Sequence, residues 1–480
     1  MEGPVGGQAV ALVDRGAQNS LRVVRLRGRP STPSEVRRAD GPLVVKIPGQ
    51  VARPDETASP RGGPSLYIGH VMTTTIRVPG AVHIEREHTV PLDHGLPGGP
   101  TIRVFTREVT DPEGGPGKPY LLFLQGGPGF EAARPTSPPT GWMRRALHDY
   151  RVLLLDQRGT GRSTPVGDIP GATAADQAAY LTHFRADAIV RDAELIRQEL
   201  GGERWSVLGQ SFGGFTSMTY LSIAPDGLRE ALITGGLAPI GRPVDDVYRA
   251  TYVRLIGKHR RYFERYPEDQ ARVDEIHRRL DGEDVRLPGG DRLTSRRFRQ
   301  LGLWLGDSAG FELLHHVLEL PFGSRAFLAD VEDAVRFERN PIYATLHESS
   351  YADGGATRWS ADRLMPDEVR DGRLFTAEHV FPWMFEDYGA LRSHAAAAEL
   401  LAQHDWPRMF DAGQLRMNAV PVAATIYADD LYVERAFAEE TAASIRGLQP
   451  WITNEYEHNA LRADGERVLD RLIAMVRGRA

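Results

Sequence analysis

The hydrophobic pattern changes character three times along the chain. Up to about residue 70 no hydrophobic period lasts: Gly, Pro, Arg and Ser dominate, and the longest apolar stretch, residues 9–13, is too short for a signal-peptide core or a membrane span. From Thr73 the texture is β. Residues 82–90 and 101–106 are strand-like and are separated by a Gly/Pro-rich turn, which predicts an opening antiparallel hairpin. Short, largely apolar runs follow at Tyr120–Leu124, 152–155 and 205–208, the pattern of parallel strands covered on both faces, and a further strand candidate lies at 231–234. Ahead of the third run, Ile189, Ala193, Ile196 and Leu200 repeat at i, i+4, i+7 and i+11 and predict a helix with one buried face.

After Thr234 the pattern is helical, with apolar faces such as Phe311, Leu313, Leu314, Val317 and Leu318. Strand character returns at Val422–Tyr427 and at 451–453, and an amphipathic helix from about 465 to 475 closes the chain. The reading is a discontinuous α/β domain: a disordered tail over 1–71, the first part of the sheet domain over 72–237, a helical cap over 238–410 and the rest of the sheet domain over 411–480. Met72, directly before a strand, offers a second reading in which translation begins there. The run Lys258-His259-Arg260-Arg261 reads as a solvated helix face.

Composition narrows the function classes. With 41% apolar residues in 480 there is material for a large core, and a net charge of -6 gives no reason to expect nucleic acid or an anionic membrane as partner. Zero cysteines exclude disulfides, thiolate metal sites and a cysteine nucleophile, and they fit a cytoplasmic protein. Neither glycine-rich loop described below has the Lys and Ser/Thr placement of a phosphate-binding P-loop.

The chemistry centres on Gly209-Gln210-Ser211-Phe212-Gly213, which joins the apolar run at 205–208 to a helix-like stretch at 215–223. There a serine sits at the tip of a sharp strand-to-helix turn with Oγ exposed, a nucleophile elbow. With 50 glycines in the chain the pentapeptide alone is a weak signal, and Gly306-Asp307-Ser308-Ala309-Gly310 matches it too. Ser211 is favoured because two active-site-like loops precede it at α/β spacing, a strand follows it, and Ser308 lies among helical patterns. A serine needs a base and an acid to orient that base. His458 is the only histidine beyond residue 404, and Asp429 and Asp430 sit at the end of the Val422–Tyr427 strand, with Asp430 favoured. The oxyanion donors are expected from the backbone N–H of Gly127, in Gln125-Gly126-Gly127-Pro128-Gly129, and of Phe212. A second tight loop, Asp156-Gln157-Arg158-Gly159-Thr160-Gly161-Arg162-Ser163, is expected beneath the site.

Together these motifs resemble the proline iminopeptidases, serine aminopeptidases of the α/β-hydrolase fold, over about residues 72 to 480. The sequence departs from the family at Gln125, where His is usual, and at Tyr427-Ala428-Asp429-Asp430, where the acid loop is usually of a Gly-Arg-Tyr-Asp type. The resemblance implies a mostly parallel sheet flanked by helices with an inserted helical cap. It also implies release of an N-terminal residue, proline first, from a peptide or aminoacyl amide, with no metal or cofactor. It implies that cap glutamates hold the substrate ammonium, for which Glu348 and Glu378 are the candidates, solvated helix glutamates being the other reading; Phe381, Trp383 and Phe385 nearby read either as the wall of a pocket for the proline ring or as cap core. Two other readings remain open: a small-molecule esterase, amidase or lactonase with the same triad, and a non-catalytic binding protein on this fold.

Overall fold

The computed structural model describes residues 73–167 and 171–480, so the expected tail, and Met72 with it, lie outside the described residues. Nine strands form one sheet: β1 (Thr73–Val78), β2 (Ala81–Pro91), β3 (Thr101–Thr110), β4 (Tyr120–Leu124), β5 (Arg151–Asp156), β6 (Trp205–Gln210), β7 (Leu228–Thr234), β8 (Val422–Tyr427) and β9 (Leu448–Thr453). Their order is β1-β2-β3-β5-β4-β6-β7-β8-β9. The first three strands run antiparallel, β3 joins β5 antiparallel, and every pairing from β5 onward is parallel.

The apolar runs are continuous because each strand faces a separate core on each side. Leu121 and Phe123, Val152 and Leu154, and Leu208 and Leu232 point into one core with helices Gly141–Asp149 and Gly465–Val476. Their neighbours Leu122 and Leu124, Leu153 and Leu155, and Val207 and Ile233 point into the other, with helices Ala186–Glu199 and Phe212–Ile223. The period-2 alternation of side chains thus splits one apolar run between two layers, and each fully buried Leu or Ile contributes about 1.5–3 kcal/mol.

From β4 the chain crosses to β5 on one side and then to β6 on the other, so the crevice between the carboxyl ends of β4 and β6 is a topological switch point. The chain leaves the sheet at Thr234 and returns beside it at Val422. The intervening residues are mainly helical, from the long helix Val244–Arg265 to helix Ala395–Gln403 and beyond. Among the described residues no helix is long and apolar enough to cross a membrane.

Candidate active site

Ser211 stands where β6 turns into helix Phe212–Ile223, with φ 56° and ψ -125°. A non-glycine residue held there costs about 1–3 kcal/mol, which the surrounding packing must offset. Part of that packing is the close fit of the turn. A Cβ on Gly213 would overlap the carbonyl oxygen of Leu124 at the end of β4, and one on Gly126 would lie 3.0 Å from Ser211 Cβ. The loop after β4 therefore runs against the serine. Phe212 is the first residue of its helix, so its N–H is one of the donors a helix leaves without an internal acceptor.

The loop after β4 is tied from below and above. Gln157 Nε2 donates to the carbonyl of Gln125 at 2.9 Å, and Asp156, fully buried, accepts a two-pronged bond from Arg134 at 2.9 and 2.8 Å. From the helical segment, Asn340 Nδ2 donates to Gly129 O, and Arg339 Nε reaches Glu131 at 2.7 Å. Gln125 is used here through its backbone, so a side chain other than His leaves this support intact.

Asp430 and His458 meet at the ends of β8 and β9. His458 Nδ1 lies 2.8 Å from Asp430 Oδ2, while Asp430 Oδ1 accepts the backbone N–H of Tyr432 and Val433 at 2.9 and 3.0 Å. Asp429 turns outward to Arg261 at 2.8 Å. Burial lowers the imidazole pKa, but the charge of Asp430 and its hydrogen bond outweigh this and hold it above the ordinary value. His458 Nε2 is buried without a hydrogen-bond partner. A Cβ on Gly235 would come within 3.1 Å of the His458 ring, and one on Gly236 would strike the carbonyl of Ser211. The two-glycine turn after β7 is thus the shared wall between imidazole and serine.

Above His458 lies a small cavity lined by Tyr248, Thr251, His347, Tyr351, Glu378 and Tyr432, among others. Tyr432 stands edge-on to the His458 ring with centroids 5.0 Å apart. Tyr343 donates to Glu378 at 3.0 Å, and no arginine or lysine pairs with Glu378 among the described residues. Burial raises the Glu378 carboxyl to about 7, with the charge of nearby His458 opposing the shift. His347, held neutral by burial, has its pKa lowered to about 4.

The other expected substrate contacts sit elsewhere. Glu348 is buried with its carboxylate turned onto the backbone N–H groups of Ala361 (2.9 Å) and Ser360 (3.2 Å), so it caps the short helix Ser360–Arg363. Burial also raises its pKa to about 7. Phe381 is sealed between His379 and Trp383, and Trp383 carries Arg296 over its face at 5.0 Å. Neither aromatic lines the cavity. Sequence reasoning missed Tyr343 and Tyr432, although Tyr432 lies only two residues past Asp430.

Ser308 is no elbow. It follows a 3-10 helix, donates to Asn459 Oδ1 at 2.7 Å, and its neighbour Gly306 accepts the backbone N–H of His458 at 2.9 Å. The basic run is solvated only in its second half: Arg260 and Arg261 are exposed, whereas Lys258 and His259 are buried, Lys258 against Glu457 and His259 against the carbonyl of Phe375.

A family model for the alpha/beta hydrolase fold matches residues 119–310. A proline iminopeptidase of Aeromonas sobria is 49% identical over 409 residues, covering 81% of this chain and 95% of the relative. A proline iminopeptidase of Aspergillus aculeatus is 34% identical over 418 residues, covering 80% and 92% respectively. The crystal structure of a proline iminopeptidase from Mycobacterium smegmatis is 17% identical with a TM-score of 0.44, covering 82% of this chain and 98% of that one.

Proposed function

The chain belongs to the proline iminopeptidase family, and from that premise we propose that it is a serine aminopeptidase of the α/β-hydrolase fold that releases an N-terminal residue, proline above others, from peptides or aminoacyl amides. His458 takes the proton of Ser211 as the serine attacks the scissile carbonyl. Asp430 holds the imidazole in the tautomer that presents Nε2 as the base and stabilises the imidazolium that forms. The N–H groups of Gly127 and Phe212 take the oxyanion, the imidazolium protonates the leaving amine, and water then releases the acyl group by the same steps reversed. The cap over 238–410 closes the site from above, and Glu378 binds the substrate ammonium. A cytoplasmic setting fits the absence of cysteine.

The observation that carries this reading is the buried Asp430–His458 pair set across a two-glycine turn from Ser211, with Glu378 near His458 and, among the described residues, no arginine or lysine paired with that carboxylate. The test is Ser211→Ala, assayed on a panel of free-amine aminoacyl arylamides and a neutral acyl ester. Loss of a triad member lowers kcat by several orders of magnitude with folding intact. Full activity in that variant, or a wild type that turns over the ester and no prolyl arylamide, would reject the reading.

A further inference from the structure

Helix Val244–Arg265 presents three cations on one face, Arg254, Lys258 and Arg261, at i, i+4 and i+7. Each pairs with an acid in a loop that carries a triad residue, Asp429 and Glu457 adjoining Asp430 and His458 and Glu434 lying four residues past Asp430. Arg254 binds Glu434 through two nitrogens at 2.8 and 2.7 Å, and Arg261 binds Asp429 at 2.8 Å, so the loop carrying Asp430 is held on both sides of that residue. Lys258 binds Glu457, the residue before His458. The outer pairs are partly exposed, but the Lys258 side chain is only 1% exposed. A buried ammonium is costly unless its partner is well placed, so Glu457 has little freedom to move while the pair holds. On the far side of the same loop, Gly306 accepts the N–H of His458.

We propose that this helix face is a positioning device for the triad, with Lys258 the positioning residue that fixes His458 through Glu457. The inference rests on the Ser211–His458–Asp430 reading above. The cap is then not merely a cover for the substrate: one of its helices sets the distance between the base loop and the acid loop. Because Lys258 acts on the base and not on the substrate, its loss lowers kcat on every substrate and leaves KM near its wild-type value. A misplaced base costs up to about a hundredfold in rate.

The variants are Glu457→Gln, which keeps shape and removes charge, Lys258→Arg, and the double change Lys258→Met with Glu457→Met. Each is measured by kcat and KM on a prolyl arylamide and a neutral ester, by the rate of fluorophosphonate reaction at Ser211, and by the unfolding midpoint. Glu457→Gln is expected to slow kcat and fluorophosphonate reaction about tenfold or more, with KM within about twofold. Lys258→Arg retains most of the rate. The double change removes the buried charges together and regains stability, yet stays slow, an outcome that a purely structural ion pair does not produce. Variants that react with the fluorophosphonate at the wild-type rate overturn this inference alone. A wild-type protein that does not react at Ser211 overturns the triad reading and this inference with it.

Discussion

A carboxylate enclosed by tyrosines and, among the described residues, without an arginine or lysine paired to it favours a ligand that brings a cation. Glu378 is that group, and its raised pKa of about 7 means it is largely neutral in slightly acidic solution. Raising the pH through 7 ionises it and strengthens the grip on a substrate ammonium. Further alkalinisation removes the proton from the substrate amine and weakens the grip again. A prolyl arylamide is therefore expected to show a kcat/KM limb near pH 7 from Glu378 and a second limb at the substrate's own amine pKa. A neutral acyl ester should show only the limb of His458. Glu378→Gln should cost about 1.5–3 kcal/mol in kcat/KM on the amine substrate, the usual value of a hydrogen bond to a charged group, and leave the ester nearly unchanged. Equal losses on both would show that Glu378 supports His458, whose charge it feels, and not the substrate.

At the scale of elements, two strings of identical Gly-x-Ser-x-Gly pattern have different fates. At Ser211 the string joins a buried parallel strand to a helix, and the strand's neighbours force the tight turn; at Ser308 it joins a 3-10 helix to an α-helix and braces the His458 loop. Ser308→Ala should accordingly keep fluorophosphonate labelling, losing at most the about 0.5–1.5 kcal/mol of one hydrogen bond in stability. Gly213→Ala is the opposite case, since its Cβ would meet backbone at Leu124, which cannot swing aside as a side chain can. Overpacking of this kind costs about 1–3 kcal/mol. It pushes the oxyanion loop away from Ser211, so kcat should fall more than tenfold, and denaturant melts together with kcat measure both effects. Unchanged kcat in Gly213→Ala would mean that the loop after β4 does not serve the oxyanion.

Across the whole molecule, burial sets the response to acid. His259, His277 and His347 have pKa values lowered to about 4 and His379 to about 3, all by burial, against 6.5 in the unfolded chain. As pH falls from about 6.5 toward 4 the unfolded chain takes up these protons and the native chain does not, so the four histidines destabilise the fold progressively. Glu348 and Glu378 act in the other sense, because with pKa values near 7 they are protonated in the native chain while the unfolded carboxyls, at 4.5, are not. Among these six groups, four protons against two leave two on the unfolded side. At about 1.4 kcal/mol per proton and pH unit, stability should fall by up to about 3 kcal/mol per unit on acidification through this window. Denaturant midpoints at pH 7 and pH 5 measure it, and equal midpoints would mean that these histidines protonate freely in the folded state.

What the chain determines by itself is local. Largely apolar runs marked the central parallel strands because burial on both faces leaves few polar positions in them, and glycines beside Ser211 identified the elbow because nothing larger fits there. His458 followed from scarcity, and the order of serine, acid and histidine from the topology those runs imply. Everything that depends on which way a side chain turns was decided by tertiary structure. Glu348 and Glu378 each border a cavity, yet one carboxylate finds two backbone N–H groups at Ser360 and Ala361 and the other finds the hydroxyl of Tyr343. Asp429 and Asp430 are neighbours, and only packing assigns one to Arg261 and the other to His458. Lys258 reads in the sequence as part of a solvated face, and only the fold buries it against Glu457, while Arg261 beside it stays exposed. Their partners lie far along the chain, and a charge's cost or benefit depends on what folding places beside it, which no local pattern records.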